Sequence, residues 1–256
     1  MHDLPLIHWS EASEEKSARW RSEKNILPPR RVQVIDDRIS ADAAYRLACE
    51  GTALLWRGDF QNARQLLQAL ARRIDKKRAL RTDSIPHLSI TQAFHAHRQA
   101  QAQRAHVLGQ LLIPVAADHS IPLRRAPDVR LACVQAYGSY ADDYIISLRE
   151  LHGVIGGYEW RKKGIEIPAL NARIHPHYGV FAPIRTEYIE LIAQASLPDA
   201  LAIQSVAFDI GTGTGILAAV LAHRGIQRII ATDQDMRALE CARENLTRLN
   251  FMKQVD

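Results

Sequence analysis

Apolar positions recur at steps of three and four through much of the first half of the chain. Phe60, Ala63, Leu67, Leu70 and Ile74 form one stripe, with basic residues on the other faces, and predict a helix from about Asp59 to Arg81. Ser40-Ala41-Asp42 can cap an earlier helix carrying Ala44, Tyr45, Leu47 and Ala48, with Gly51 as its stop. A third helix is expected over Ile90 to Leu112, rich in Ala, Gln and His, and ended by Pro114. Residues 1–130 therefore read as a mainly helical N-terminal domain, a bundle preceded by the Pro28-Pro29 break.

The pattern changes from Leu131 onward. Glycine and β-formers come together around Gly138 and in Gly153-Val154-Ile155-Gly156-Gly157-Tyr158. Tyr158-Glu159-Trp160, a turn at Arg161-Lys162-Lys163-Gly164, and Ile165-Glu166-Ile167 predict a hairpin within a linker over 131–174. Thr186 to Ala195 reads as a short amphipathic helix closed by Pro198. Ser205 to Ile210 is a short apolar strand running directly into Gly211-Thr212-Gly213-Thr214-Gly215. A helix over Ile216 to His223, a strand over Arg228 to Asp233 and a helix over Met236 to Asn250 follow. This β-loop-α-β-α order is the opening half of a parallel, helix-covered sheet, so the fold class is α/β with the sheet domain over 175–256.

A length of 256 residues suits one large or two modest domains, and 47% hydrophobic with 24% charged residues excludes a disordered or collagen-like chain. The longest apolar run, Ile216 to Ala222, is far short of a membrane span, and Met1 to Ile7 lacks a secretory pattern. A cytoplasmic protein is expected, with no membrane partner. Cys49, Cys133 and Cys241 lie far apart without a CxxC pair, which fits three buried or inert thiols. Charge is uneven. Residues 57–110 hold ten bases and three acids, net +7, while the whole chain is +5, leaving −2 elsewhere. Such an excess attracts polyanions, although a solvated helix surface explains it as well.

The glycine segment carries the chemistry. A strand turning sharply into a helix needs backbone angles that glycine reaches cheaply, and the missing Cβ lets a ligand lie against the chain. The helix N-terminus suits an anionic group. Asp233, ending the next strand at the same sheet edge, can accept two hydrogen bonds from vicinal ribose hydroxyls. A dinucleotide fingerprint G-x-G-x-x-G would need glycine at position 216, which is Ile216. The segment instead reads Asp-x-Gly-x-Gly-x-Gly, and Asp209 suits an amino-acid ammonium better than a pyrophosphate. S-adenosylmethionine carries such an ammonium.

Phe208-Asp209-Ile210-Gly211-Thr212-Gly213-Thr214-Gly215-Ile216, followed by Ala231-Thr232-Asp233, resembles class I S-adenosylmethionine-dependent methyltransferases. His177-Tyr178-Gly179-Val180-Phe181-Ala182-Pro183-Ile184-Arg185-Thr186-Glu187 resembles the segment before the core in the small-methyltransferase superfamily, which includes release-factor glutamine and ribosomal-RNA guanine-N2 enzymes. The resemblance implies that Asp209, Gly211, Thr212, Gly213 and Gly215 hold the methionine part of the donor and that Asp233 clamps its ribose. It places Gln234, or Asp235, beside the adenine, and Phe181, Pro183 and Arg185 near the methionine end or acceptor channel. Phe181 reads equally as core packing, and Arg185 as a surface ion pair with Glu187 or Glu190.

The implied activity is N-methylation of a macromolecule, a protein glutamine or an RNA base, with the acceptor met through the basic 57–110 helices; nothing singles out DNA. The family's Asn-Pro-Pro-aromatic motif is absent, so no catalytic residue is assigned. The expectation is an incomplete core that binds the donor weakly and does not turn over. A non-catalytic binding module and a nicotinamide oxidoreductase are the alternatives. His175 and His177 tempt a metal reading, but no further ligands stand at useful spacing, so no metal is assigned.

Overall fold

The computed structural model describes residues 4–82, 89–197 and 206–256, and the chain divides into two compact units, 1–153 and 154–256. Asp83, Pro198 and Ser205 of the sequence reading lie outside the described residues, as do the side chains of Lys77, Arg78 and Arg81.

In the N-terminal unit, β1 (Leu6–Glu11) and β2 (Glu14–Arg21) form an antiparallel hairpin, and β3 (Val32–Ile35) follows. Next come α1 (Ala41–Cys49), β4 (Ala53–Trp56), α2 (Phe60–Thr82), α3 (Ile90–Gly109), β5 (Leu111–Val115), α4 (Arg130–Tyr137) and β6 (Tyr144–Ser147). The six strands make one mixed sheet in the order β1-β2-β6-β5-β4-β3. Every residue of β4 and β5 is buried.

The expectation of a helical bundle is thereby corrected. The three helices are present, but they accompany a sheet. Its strands escaped the pattern because β2 buries only Trp20, while the all-apolar β4 and β5 have no alternation to read. The third helix stops at Gly109, and Leu111 and Leu112 belong to β5, paired with Leu54 and Leu55 of β4. Pro114 is tolerated because it lies past the last of these pairs.

Local chemistry sets the helix starts. The Ser40 hydroxyl accepts from Ala43 N at α1, and Asp59 Oδ1 accepts from Gln61 N at α2. The Asp59 carboxylate is buried, and Arg125 Nε at 2.7 Å compensates its charge and holds its pKa down.

The division between the units falls within α5 (Leu148–Lys163), which is followed by β7 (Ile165–Ile167) and β8 (Ala172–Ile174). The expected hairpin is therefore displaced: Tyr158-Glu159-Trp160 is helical, and the hairpin is β7 against β8. Leu148, Leu151 and Val154 are buried at steps of three, a helical period that outweighs the glycines. Gly157 has a packing use, since a Cβ there would sit 3.1 Å from Tyr178 Cδ2.

The remaining elements follow the sequence expectation closely: α6 (Glu187–Gln194), β9 (Val206–Ile210), α7 (Ile216–His223), β10 (Arg228–Thr232) and α8 (Met236–Arg248). β9 and β10 are parallel, Phe208 opposite Ile230. Residues 254–256 run parallel along the other edge of β10, through Ile229 N to Gln254 O and Ala231 N to Asp256 O. Ile216, Ala219, Val220, Ile229, Ala242 and Leu246 share one core. The chain is thus mixed α/β, and its last fifty residues have the alternating order of a Rossmann-like sheet.

All three cysteines are free thiols. Cys133 and Cys241 are buried, and burial raises both pKa values, that of Cys241 to about 11; Cys49 is exposed.

Candidate functional site

The turn between β9 and α7 is built from hydrogen bonds that its own sequence supplies. Gly211, Gly213 and Gly215 all have positive φ, at 77°, 57° and 77°. Gly215 is additionally forced by space: a Cβ there would lie 3.0 Å from Ala242 Cα, where α8 crosses. Gly211 N and Thr212 N donate to Thr232 O at 2.8 and 2.9 Å, tying the turn to the end of β10.

Asp209 is 7% exposed. Its Oδ2 accepts from the Thr212 hydroxyl at 2.7 Å and from Ala218 N at 3.1 Å, bracing both sides of the turn. Asp233 Oδ2 accepts from Gly213 N at 3.0 Å, and its Oδ1 accepts from Asp235 N at 3.0 Å. Asp209, Gly211, Thr212, Gly213 and Asp233 therefore meet in one constellation, with Gly215 packed behind it. Gln234 lies exposed beside Asp233.

Phe181 and Arg185 are not joined to it by any hydrogen bond or ion pair among the described residues. Both are exposed, Phe181 at 73%, while Pro183 between them is buried. Core packing does not describe Phe181. No ion pair between Arg185 and Glu187 or Glu190 is found among the described residues.

The segment leading to Phe181 is clasped by α8, through residues that sequence reasoning passed over. Asn245 Oδ1 accepts from His175 N at 2.7 Å, and Asn245 Nδ2 donates to Thr214 O at 3.1 Å, so one buried amide links this segment to the glycine turn. Glu244 accepts from His177 Nε2 at 2.7 Å and from Arg161 Nη2 at 3.0 Å. Burial works to raise the Glu244 pKa, but His177 and Arg161 together bring it below its ordinary value. His177 is thus engaged by a carboxylate, and no group of three or more metal-ligating side chains occurs among the described residues. The available signal was the spacing of Cys241, Glu244 and Asn245, which puts all three on one helical face.

Four of the five N–H groups between 211 and 215 are consumed within the protein: Gly211, Thr212 and Gly215 donate to carbonyls, and Gly213 donates to Asp233. A pyrophosphate needs those donors; an ammonium needs acceptors. The turn is acceptor-rich, with an acid on either side. Two surface depressions in the N-terminal unit, one at Ser40 to Glu50 and one including His8 and Arg31, contain none of these residues.

Residues 191–256, about a quarter of the chain, match the family model of ribosomal protein L11 methyltransferase. No curated protein matches the chain. The matched residues contain the whole glycine constellation, and the match supports an S-adenosylmethionine-dependent methyltransferase without singling out the release-factor or ribosomal-RNA branch. Among the described residues no helix is long and apolar enough to cross a membrane.

Proposed function

We propose that the chain is a methyltransferase whose β9–α7 turn and β10 end bind S-adenosylmethionine. The consumed N–H groups carry this reading, because they leave the turn suited to a cationic amino-acid tail and unsuited to a pyrophosphate. Asp209 braces the turn through Oδ2, and its Oδ1, without a hydrogen bond to any described residue, faces the ammonium. Asp233 keeps a lone pair on each oxygen after its two backbone bonds, enough for the ribose hydroxyls. Gln234 borders the adenine, and Phe181 and Arg185 lie at the methionine end or acceptor entrance. When bound, the donor supplies an activated methyl group on its sulfonium sulfur; the chain's own residues contribute alignment and exclusion of water. No general base is required of them, and no metal.

The matched family's name favours a protein acceptor, and the small-methyltransferase resemblance makes nitrogen the methylated atom. RNA methylation is the second reading, motivated by the +7 window. A non-catalytic module that retains donor binding fits the same turn.

Titration of the full chain with millimolar S-adenosylmethionine, followed by amide NMR, tests the donor assignment. Saturable shifts at Gly211, Gly213 and Asp233 are expected, and Asp233→Ala weakens binding by about tenfold or more, the worth of lost charge-assisted hydrogen bonds. Saturation by NADH, with no response to S-adenosylmethionine, would overturn it.

A further inference from the structure

The α2–α3 pair is a helix hairpin whose outer half buries no side chain among the described residues. Among the described side chains the last buried residue of α2 is Leu70, and the buried residues of α3 are Val107 and Leu108. Residues 89–99 of α3 are all exposed. At about 1.5 Å per residue, the segments 71–82 and 90–103 are each roughly 20 Å long. Asp75 and Arg104 bridge them at 3.0 Å, and a capping box at Ser89 and Gln92 starts α3.

The chemistry of this arm is one-sided. Asp75 is the only acid in either helix, and Arg104 neutralises it. Arg72 and Lys76, four apart on one exposed face of α2, and exposed Arg98 on α3 meet no acid among the described residues. Lys77, Arg78 and Arg81 add three bases to the last turns of α2 in the sequence. A helix that is polar all round normally draws support from charge pairs along its length, and α3 has no acid with which to form them. Phe94, 56% exposed, carries Arg98 over its ring at 5.8 Å and His95 edge-on at 5.7 Å.

We propose that the exposed half of the α2–α3 pair is an RNA-binding arm, holding phosphates with Arg72, Lys76 and Arg98 and stacking an unpaired base on Phe94. Unbalanced positive charge selects a polyanion, and counterion release supplies the affinity. An exposed aromatic ring flanked by arginine selects single-stranded segments, where bases can leave the stack, over a DNA duplex. An anionic membrane would need a broad apolar face, but exposed Ile90 and Phe94 on α3 stand among exposed Gln92, His95, Gln99 and Gln103. The arm is independent of the donor reading, since none of its residues belongs to the glycine constellation.

Fluorescence anisotropy on the full chain, with a labelled oligouridylate of about 20 nucleotides, tests it. Binding that weakens steeply between about 50 and 200 mM salt is expected. The triple variant Arg72→Glu, Lys76→Glu, Arg98→Glu should lose at least about tenfold in affinity, and its log–log salt slope should flatten by about 2. Phe94→Ala should cost about fivefold on this RNA with little change in salt slope. Arg38→Glu, on an exposed base outside the arm, should bind like the parent chain. Circular dichroism separates loss of binding from loss of folding, and the Phe94→Ala result stands on its own if the triple variant unfolds. Equal binding by the triple variant, preference for duplex DNA, or capture by phosphatidylserine vesicles without RNA binding would each overturn the proposal.

Discussion

α7 and α3 are both helices, yet they exist for opposite reasons. Five of the eight residues of α7 are buried, and it is fixed between β9, β10 and α8. α3 buries two of twenty, and the contacts that hold it include its cap, the Arg104–Asp75 ion pair and its last turn. The contrast shows where each unit puts its chemistry. In the C-terminal unit the core holds a helix so that the turn before it keeps one shape. In the N-terminal unit the core anchors a helix pair whose far half offers charge to something outside.

The sharpest way to break this comparison is at the turn. Gly215→Ala places a Cβ at positive φ against the backbone of α8, and the strain and overlap together should cost about 2 to 5 kcal/mol. Urea unfolding followed by C-terminal amide signals measures it, and a loss under about 1 kcal/mol would show that the turn relaxes freely. A matched pair sharpens the contrast between helices. Ile216→Ala, at 5% exposure, should cost about 2 to 4 kcal/mol, whereas Ile90→Ala, at 91% exposure, should stay within about 0.5 kcal/mol. Comparable losses in thermal melts would mean that α3 is packed in solution.

The smallest effect lies at the edge of the N-terminal sheet. The Arg57 guanidinium, bonded to both oxygens of Glu11 at 2.8 and 2.7 Å, draws the Glu11 pKa down to about 2 against a smaller opposing effect of burial. A depressed carboxylate stabilises the fold above its unfolded pKa, near 4.3, and the contribution is lost as pH falls towards about 2. For a partly exposed pair this is worth about 1 kcal/mol at most. Arg57→Ala should therefore return the Glu11 titration, read by carboxyl NMR, towards its ordinary range. An unchanged titration midpoint would remove the pair from the account.

The glycine turn was legible because its causes are local. Asp209, the three alternate glycines, Ile216 in place of a fourth, and Asp233 at the next strand end are all set by spacing within about 25 residues. The clasp behind it was not, because Asn245 reaches His175 and Thr214 across 70 and 31 residues, and only packing of α8 reveals which of its faces turns inward. The family resemblance placed Phe181 and Arg185 near this site, but both are exposed and neither is bonded to the turn among the described residues, while Pro183 between them is buried.

By itself the sequence determined the α1, α2 and α3 positions, the β9-α7-β10-α8 order and the excess of positive charge on α2 and α3. Tertiary structure alone decided that a six-stranded sheet stands among the N-terminal helices, that 158–163 is helix rather than the first arm and turn of a hairpin, and that half of α3 is bare. Helix periods and tight turns are written in neighbouring residues. A strand acquires its partner from distant ones, and a helix face is buried only when something else in the fold arrives to cover it.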